Sequence, residues 1–383
     1  MTLRELILQR IGAEGPLSFT EYVELALYHP ALGYYARADR RSGRAGDFFT
    51  SVDLGPFFGE LLAEQFAEMW NVLSAADTHD VSTFDFVEAA AGSGQLAHDV
   101  LNAAETHHPA FYAAVRLNLV DRSQTARGAH RTTLGRHATK LIASDTVLPA
   151  RTSGVIFANE LLDALPPHVV IMTDDGLREI YVDVDSGRLV ERIGPISNDR
   201  VRAHIERWNI HLEPGWRVEV NPGAVAWVDQ AARGLDRGFL ILIDYGHEST
   251  ELYSAAHATG TLRTYHHHQV TQNPVSSTPA WLQEPGECDI TTHVDLTAVR
   301  LTAERAGLTT LGVLDQTYFL LGLGVASYLE TESSDNLHDL KRRLAIKSLL
   351  IPGGLGSTHK VLIFGKGVGS PQLAGCSYRM RVT

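Results

Sequence analysis

Residues 83–101 read T-F-D-F-V-E-A-A-A-G-S-G-Q-L-A-H-D-V-L, and this stretch decides the fold that the sequence predicts. Its first seven residues are mostly β-branched, aromatic or small and apolar, which is typical of a strand buried on both faces of a parallel sheet. Glycines at 92 and 94 then interrupt the run, and apolar residues recur at helical spacing from Leu96 to Leu101. The stretch therefore predicts a strand, a glycine turn and a helix, which form half of a Rossmann-type unit.

The glycine turn suits two classes of cofactor, because glycines let the backbone approach a ligand and the first amides of the helix lack partners. The spacing of Gly92, Gly94 and Ala97 satisfies the dinucleotide fingerprint, in which a pyrophosphate lies at the helix start. Methyltransferases that use S-adenosylmethionine (SAM) instead carry an acidic residue at the end of this strand, to meet the cationic methionine end of the cofactor. Glu88 occupies that position and favours SAM. A nicotinamide cofactor and a turn without any ligand stay open as alternatives.

Polar residues at the ends of the next strands extend this predicted site. The second strand ends at Asp121, whose carboxylate can accept hydrogen bonds from both ribose hydroxyls of either cofactor. Further strands are predicted at 141–145 and 154–158. Ligands of open α/β sheets bind beyond the carboxyl ends of the strands, so Asp145 and Asn159 are expected in the cofactor site.

Composition bounds the class of protein. A length of 383 residues predicts two to three domains, and a hydrophobic share of 44% is enough for a sizeable core. The net charge of −12 argues against general affinity for nucleic acid or anionic membranes. Two cysteines, Cys288 and Cys376, are too few for a disulfide scaffold or a cysteine zinc site. Residues 1–20 lack a long apolar run, and no later run reaches the ~20 residues of a membrane span, so we expect a cytoplasmic protein.

The order of apolar patterns predicts an α/β fold with a doubly wound, mostly parallel sheet and two insertions. We expect a helical N-terminal extension at 1–80, the first part of the Rossmann core at 81–168, an antiparallel insertion at 169–215, the core continued at 216–246, an irregular lid-like insertion at 247–288 and the C-terminal part of the core at 289–383. Tight-turn signals define the antiparallel insertion, and length without periodicity is typical of a functional lid. Residues 359–364 are predicted to form a closing edge strand.

Several separated motifs together resemble the MidA-like family of class I SAM-dependent methyltransferases. They are G-D-F-F-T-S at 46–51, F-G-E-L at 58–61, E-A-A-A-G-S-G at 88–94, N-E-L-L-D-A-L-P at 159–166, I-D-Y-G at 243–246, G-T-L-R-x-Y-x-x-H at 260–268 and G-E-C-D-I-T-T-H-V-D at 286–295. Each motif alone is weak, but their order and spacing make the resemblance specific, and it covers most of the chain. The mitochondrial member of that family is a protein arginine methyltransferase required for assembly of respiratory complex I.

The resemblance implies SAM as the cofactor and an arginine of a partner protein or peptide as the methyl acceptor. A guanidinium stays protonated, so carboxylates are needed to orient it and to stabilise its charge. The implied residues are Asp47, Glu160 and Asp163 for catalysis, Gly46, Thr50, Ser51, Glu88, Ala90, Gly92, Gly94, Asp121, Asp145 and Asn159 for the cofactor, and His268, Asp289, His293 and Asp295 for the substrate. No nucleic acid or membrane partner is expected, and a homodimer is compatible with the sequence.

Some of these assignments compete with other interpretations. Glu160 and Asp163 would share a helix face if the segment begins a helix, whereas Asp163 could also act only as a cap. The segment 288–295 could be an ordinary polar turn and helix cap. The histidines at 266–268 with His257 invite a metal interpretation, but consecutive residues cannot all face one ion, so no metal site is predicted.

The sequence also departs from the family pattern. The family usually has glycine where Ala90 stands and Pro-Glu where Val52-Asp53 stands, so we expect the extra methyl group at Ala90 to affect SAM affinity. A methyltransferase with another small-molecule or peptide acceptor, an NAD-dependent oxidoreductase and a SAM-binding assembly factor without turnover remain alternative functions.

Overall fold

The computed structural model describes residues 1–36, 52, 55–75, 83–266, 269–271, 279–330, 344, 346–347, 349–350 and 355–378. The predicted site residues Gly46, Asp47, Thr50, Ser51 and His268 lie outside the described residues. The chain forms two compact units. We call Phe49–Leu161, Val228–Tyr245 and Arg300–Thr383 the sheet unit, and Met1–Phe48, Leu162–Trp227 and Gly246–Val299 the hairpin unit.

The helices of the described residues are α1 Leu3–Glu14, α2 Phe19–Tyr28, α3 Phe57–Ala75, α4 Gln95–His107, α5 Pro109–Ala114, α6 Gln124–Leu134, α7 Asp199–Arg207, α8 Pro222–Gly234, α9 Ser249–Leu252, α10 Ala280–Gln283, α11 Leu296–Arg305, α12 Gln316–Gly322, α13 Ser327–Glu330 and α14 Leu355–Thr358. The strands are β1 Leu17–Ser18, β2 Phe84–Ala89, β3 Val115–Val120, β4 Leu141–Asp145, β5 Thr152–Asn159, β6 His168–Thr173, β7 Gly176–Asp185, β8 Arg188–Gly194, β9 Arg217–Val220, β10 Leu235–His247, β11 Arg263–His266, β12 Gln269–Thr271, β13 Asp289–Thr291, β14 Val294–Asp295, β15 Thr309–Asp315 and β16 His359–Lys366.

The large sheet of the sheet unit has the strand order β4-β3-β2-β5-β10-β16-β15. The strands from β4 to β10 are parallel, whereas β16 runs antiparallel to both of its neighbours. The parallel part follows the order 3-2-1-4-5 of doubly wound nucleotide-binding folds, whose ligands bind where the order reverses, between β2 and β5. The predicted doubly wound, mostly parallel sheet is therefore confirmed, and its switch point lies beside Glu88.

One strand prediction at the end of this sheet was wrong. Residues 359–364 were expected at the edge, but β16 lies inside the sheet between β10 and β15. The edge strand is β15, which was not predicted, because most of its residues are half-buried and show no clear alternation. An edge strand of this kind carries little of the apolar signal that identifies a central strand.

Helix α3 closes the core of the sheet unit. Its fully buried Phe66 packs against Phe86 of β2 at 5.0 Å and Phe157 of β5 at 5.8 Å between ring centroids. Burying one such side chain stabilises the fold by about 1.5–3 kcal/mol. Gly59 allows α3 to approach α4 closely, since a Cβ atom there would lie 2.6 Å from Cβ of Asp99. The strand that carries Glu88 is thus held rigidly from one face.

The hairpin unit contains an antiparallel sheet in the order β1-β7-β6-β9, with β8 beside β7, and a smaller sheet β12-β11-β13. Its core includes fully buried Trp281, which makes edge contacts with Phe19 at 4.9 Å and Tyr22 at 5.3 Å. The capping box expected from the sequence is present at the start of α2, where Ser18 and Glu21 bond reciprocally to each other's backbone amides.

The two units divide the chain differently from the predicted parts. Residues 1–80 were predicted as one extension, but α1 and α2 belong to the hairpin unit and α3 to the sheet unit. Residues 216–227 and 289–299 were assigned to the core, yet they belong to the hairpin unit. The described residues of the segment 247–288 include two helices and two strands of three or four residues, and the lid role of this segment stays a prediction. Elements that short cannot display a periodicity.

Within the described ranges, no helix is both long and apolar enough to span a membrane.

Candidate active site

The glycine turn after β2 is fixed by backbone hydrogen bonds. The amide of Ala91 donates to the carbonyl of Val120 at 3.1 Å, and the amide of Gly94 donates to the carbonyl of Ala91 at 2.8 Å. The amide of Gly92 donates to Asp121 Oδ2 at 2.8 Å. Gly92 and Gly94 have φ angles of 55° and 85°, which glycine adopts without steric cost. Glycine therefore suits both positions of the turn.

Four of the described residues that are not glycine adopt the left-handed conformation, and two of them, Ala90 and Glu160, lie at the switch point. Ala90 follows β2 directly with φ 56°, and Glu160 follows β5 directly with φ 51°. This conformation costs a residue with a Cβ atom roughly 1–2 kcal/mol. Strained residues of this kind cluster at active sites. The left-handed backbone at Ala90 also explains why glycine suits this position in the family pattern.

Glu88 is buried under the glycine turn with only 4% of its surface exposed. The amide of Ala97 donates to its carboxylate, but Oε2 has no hydrogen-bond partner among the described residues. The pKa of Glu88 is raised to about 8, mainly by burial, and the neighbouring carboxylates of Asp121 and Asp99 contribute to this rise. A cation placed beside Glu88 would relieve this cost.

Asn159 ends β5, the strand next to Glu88, and carries a second unsatisfied acceptor. Its Nδ2 donates to Glu160 Oε1 at 3.1 Å, whereas its buried Oδ1 has no partner among the described residues. Buried polar atoms are rarely left without partners, so two such oxygens at the ends of neighbouring strands point to a ligand with positive charge and N–H donors. The methionine ammonium group of SAM has both properties, so these residues fit the cofactor.

Asp121 holds the glycine turn. Its Oδ1 accepts from the amide of Ser123 at 2.7 Å, in addition to the bond from Gly92 to its Oδ2. Ribose binding by Asp121 stays a prediction. Asp145 is exposed at the end of β4, where its Oδ1 accepts from the amide of Thr146 at 2.6 Å. Its cofactor role also stays a prediction.

Two histidines support the site and were not found from the sequence. His130 is fully buried on α6, with Nε2 at 3.0 Å from the carbonyl oxygen of Gly92 and Nδ1 at 2.9 Å from Ser144 Oγ. It therefore ties the glycine turn to the end of β4. His359 starts β16, and its Nε2 lies 3.6 Å from Glu160 Oε1. Neither histidine belongs to a local motif, so no sequence signal could have found them.

Glu160 and Asp163 do not share a helix face, because the helix on which that interpretation depended does not form. Residues 160–165 form bends and a turn, and no helix begins there. The left-handed backbone at Glu160 is incompatible with a right-handed helix, and Pro166 and Pro167 follow too closely for one to develop. Glu160 belongs to the sheet unit and Asp163 to the hairpin unit.

Asp163 is instead brought close to another predicted residue, Asp289, within the hairpin unit. Both are buried, with 4% and 2% of their surfaces exposed. Tyr35 donates its hydroxyl to Asp289 Oδ1 at 2.9 Å. Burial raises the pKa of Tyr35 well above its usual value, and the charges of Asp289 and Asp163 add to this effect. The amide of Thr292 donates to the carbonyl oxygen of Asp163 at 3.1 Å. The two carboxylates therefore form an acidic group around one tyrosine.

The other predicted substrate residues that the structure describes, His293 and Asp295, make contacts within the hairpin unit. Asp295 Oδ1 accepts from the amide of Ala298 at 2.9 Å, so it caps α11, as the alternative interpretation had it. His293 and Asp295 line a small cavity of about 20 Å³ in the hairpin unit, together with Glu219 and Tyr253. This space holds about one water molecule and is far too small for a cofactor. Substrate binding by Asp289, His293 and Asp295 stays a prediction.

Comparison with known proteins settles the family. Residues 61–314 match the family described as "Putative S-adenosyl-L-methionine-dependent methyltransferase". The chain belongs to this MidA-like methyltransferase family. A crystal structure of a superfamily member from Burkholderia thailandensis, bound to S-adenosylhomocysteine, has a TM-score of 0.86 and 30% identity, with 98% of this chain and 94% of that chain covered. SAM is therefore the cofactor, and the nicotinamide alternative is set aside.

Curated relatives of this methyltransferase are found in vertebrate mitochondria. The zebrafish (Danio rerio) protein, "Protein arginine methyltransferase NDUFAF7, mitochondrial", is 27% identical over 88% of this chain and 79% of its own length. The human protein of the same name is 28% identical over 83% of this chain and 72% of its own length. Both alignments cover most of this chain and most of the relative, which agrees with the distribution of the shared motifs along the sequence.

Proposed function

We propose that this methyltransferase transfers the methyl group of SAM to an arginine side chain of a partner protein. The zebrafish and human relatives bear the name protein arginine methyltransferase, which supports this acceptor. The observation that carries the proposal is Glu160, a carboxylate held by a left-handed backbone at the end of β5. The neighbouring strand β2 carries Glu88, which fits the methionine end of the cofactor.

The chemistry explains why a carboxylate is needed at this position. Bound SAM supplies an activated methyl group together with its own leaving group, so the protein mainly aligns the reactants. The guanidinium acceptor is protonated, and a carboxylate that accepts hydrogen bonds from its N–H groups fixes its plane and stabilises its charge. As the new N–C bond forms and the C–S bond of SAM breaks, the attacking nitrogen releases one proton, so that methylguanidinium and S-adenosylhomocysteine are the products. The side chain of Glu160 is only 13% exposed, and electrostatic contacts are stronger where water is excluded.

The neighbours of Glu160 hold its carboxylate in place. Asn159 Nδ2 donates to Oε1 at 3.1 Å, and His359 Nε2 lies 3.6 Å from the same oxygen. The amide of Glu160 donates to the carbonyl of Ile243 at 2.8 Å, which fixes the main chain. A preorganised carboxylate loses little entropy when the guanidinium binds, so its contribution appears in the turnover rate.

The acceptor is tested with tritiated SAM and a lysate of the source cells. We expect label in protein, and we expect methylated arginine after acid hydrolysis of that protein. Label only in small molecules or in another amino acid would show a different acceptor. Binding of SAM without any label transfer would identify an assembly factor that does not turn SAM over.

The role of Glu160 is tested with the acceptor found in that experiment. Glu160→Gln keeps the size of the side chain and removes its charge, so turnover should fall roughly a hundredfold while affinity for S-adenosylhomocysteine stays within about twofold. The matched control is Glu105→Gln on α4, because this carboxylate is 40% exposed and pairs with Arg136. Equal turnover in both variants would show that Glu160 does not orient the acceptor.

A further inference from the structure

Three histidines that are distant in the sequence meet in the hairpin unit. His247 ends β10, His257 ends the short helical turn at 255–257, and His293 immediately precedes β14. One nitrogen from each ring lies within 4.8 Å of the others. The ring centroids are 4.7 Å apart for His247 and His257, 5.0 Å for His247 and His293, and 6.2 Å for His257 and His293. All three side chains are half-buried.

We propose that His247, His257 and His293 form a binding site for a divalent transition metal, with Zn²⁺ as the best fit. Imidazole nitrogens are preferred ligands of Zn²⁺, and tetrahedral bonds of about 2.05 Å place the donor atoms roughly 3.3 Å apart. The observed spacing is therefore within about 1.5 Å of the metal-bound spacing. Small rotations of three half-buried rings can supply that change.

Hydrogen bonds to Glu251 set two of the rings in the form that binds metal. Nδ1 of His247 lies 3.1 Å from Oε1 of Glu251, and Nδ1 of His257 lies 2.9 Å from the carbonyl oxygen of the same residue. Carboxylate and carbonyl oxygens only accept, so Nδ1 is the donor in both contacts and Nε2 is the ring nitrogen that can bind an ion. Histidines that bind metals show this arrangement almost always.

Two charged residues lie beside the cluster. The carboxylate of Glu251 lies 3.1 Å from Nδ1 of His247, and its negative charge offsets the positive charge that Arg263 brings near His293.

The site differs from the one considered from the sequence. The sequence drew attention to the histidines at 266–268 together with His257. Of these, His257 takes part in the cluster, whereas residues 267 and 268 lie outside the described residues. Across the ranges that the structure describes, no further His, Cys, Asp or Glu joins the three. Water would complete a tetrahedron. Methyl transfer from SAM needs no metal, so the ion would act by fastening the end of β10, the turn at 255–257 and the start of β14 together.

The test uses untagged, full-length protein that is first stripped with EDTA and then titrated with Zn²⁺ against a chromophoric competitor. We expect one Zn²⁺ per chain. Replacing an outer partner of a ligand typically costs 10–100-fold in metal affinity, so Glu251→Gln should weaken binding by about that factor and His257→Ala by at least about 100-fold. The matched control is His211→Ala, because Nδ1 of His211 also bonds a backbone carbonyl, that of Asn209 at 2.8 Å.

Two further measurements separate the cluster from other sources of binding. Replacing the three histidines at 266–268 by alanine should leave the Zn²⁺ affinity unchanged. Hydrogen exchange at 247–257 should slow when Zn²⁺ is added to the wild-type protein and should not change in His257→Ala. The proposal is overturned if wild type binds no Zn²⁺ at about 10 μM free metal, if His257→Ala binds as tightly as wild type, or if the tract variant alone loses binding.

Discussion

The substitution Glu88→Gln is the sharpest test of the cofactor site. The pKa of Glu88 is raised from 4.5 to about 8 in the folded protein. As pH rises, the carboxyl group therefore ionises at a lower pH in the unfolded chain than in the folded protein. The free energy of unfolding of the wild type consequently falls as pH rises between these two pKa values. Each pKa unit corresponds to about 1.4 kcal/mol, so the burial of this charge costs about 3 kcal/mol at pH 7 and about 5 kcal/mol above pH 8.

Glutamine has nearly the same shape and no charge, so it removes this cost. Urea unfolding without cofactor should give similar free energies for wild type and Glu88→Gln at pH 4.5, and a variant that is several kcal/mol more stable at pH 8.5. The affinity of the wild type for the cofactor, unlike its stability, should rise with pH. The methionine ammonium group favours the ionised carboxylate, so wild-type affinity for S-adenosylhomocysteine should rise up to tenfold per pH unit from pH 6 to 8.

Calorimetry on the same proteins completes the test. In Glu88→Gln, the affinity at pH 8.5 should fall at least about tenfold, and its pH dependence between 6 and 8 should disappear. Glu105→Gln, which replaces an exposed carboxylate on α4, should behave like the wild type in both measurements. A stability difference that does not change with pH, or an affinity equal to that of the wild type at pH 8.5, would refute the assignment of Glu88 to the cofactor.

Three further substitutions test other parts of the site. Asp121→Ala should weaken S-adenosylhomocysteine binding by about 2–3 kcal/mol in calorimetry, since it removes the acceptor of the Gly92 amide and the expected ribose bonds; unchanged affinity would contradict this. Ala90→Gly should raise the free energy of unfolding in urea by up to about 1 kcal/mol, because relief of the left-handed strain outweighs the added freedom of the unfolded chain; a destabilised variant would count against the strain. Asp163→Asn should leave cofactor affinity nearly unchanged while turnover falls roughly a hundredfold; equal losses of both would identify a scaffold role.

The central part of the sheet could be predicted because its signals are local. Each parallel strand is a short apolar run, and the residues that matter to the ligand follow those runs directly. Glu88, Asp121 and Asn159 could therefore be placed at one edge of the sheet from their positions alone, since the carboxyl ends of parallel strands meet there. The glycine that the family usually has at position 90 also indicates the left-handed backbone that Ala90 adopts.

Residues that act through long-range contacts could not be predicted. His130 reaches the glycine turn from α6. His247 and His293 lie at the paired ends of β10 and β14, and His257 joins them from the turn at 255–257. A helix after β5, which would have given Glu160 and Asp163 a shared face, is absent for a different reason. The spacing of Glu160 and Asp163 fitted a helix, but one left-handed residue overrides spacing, and only the φ angle of Glu160 shows it.

The long sequence separation between two paired strands of the large sheet has a consequence for biosynthesis. Strand β10 ends at residue 247, but its antiparallel partner β16 begins at residue 359. At roughly 10 residues per second of translation, one edge of β10 lacks that partner for about 10 s after it is made. An uncovered apolar strand can pair with another nascent chain, so we expect a ribosome-bound chain to need a chaperone during this interval. A circular permutant that places residues 300–383 before the rest of the chain would shorten this exposure and should fold with less aggregation.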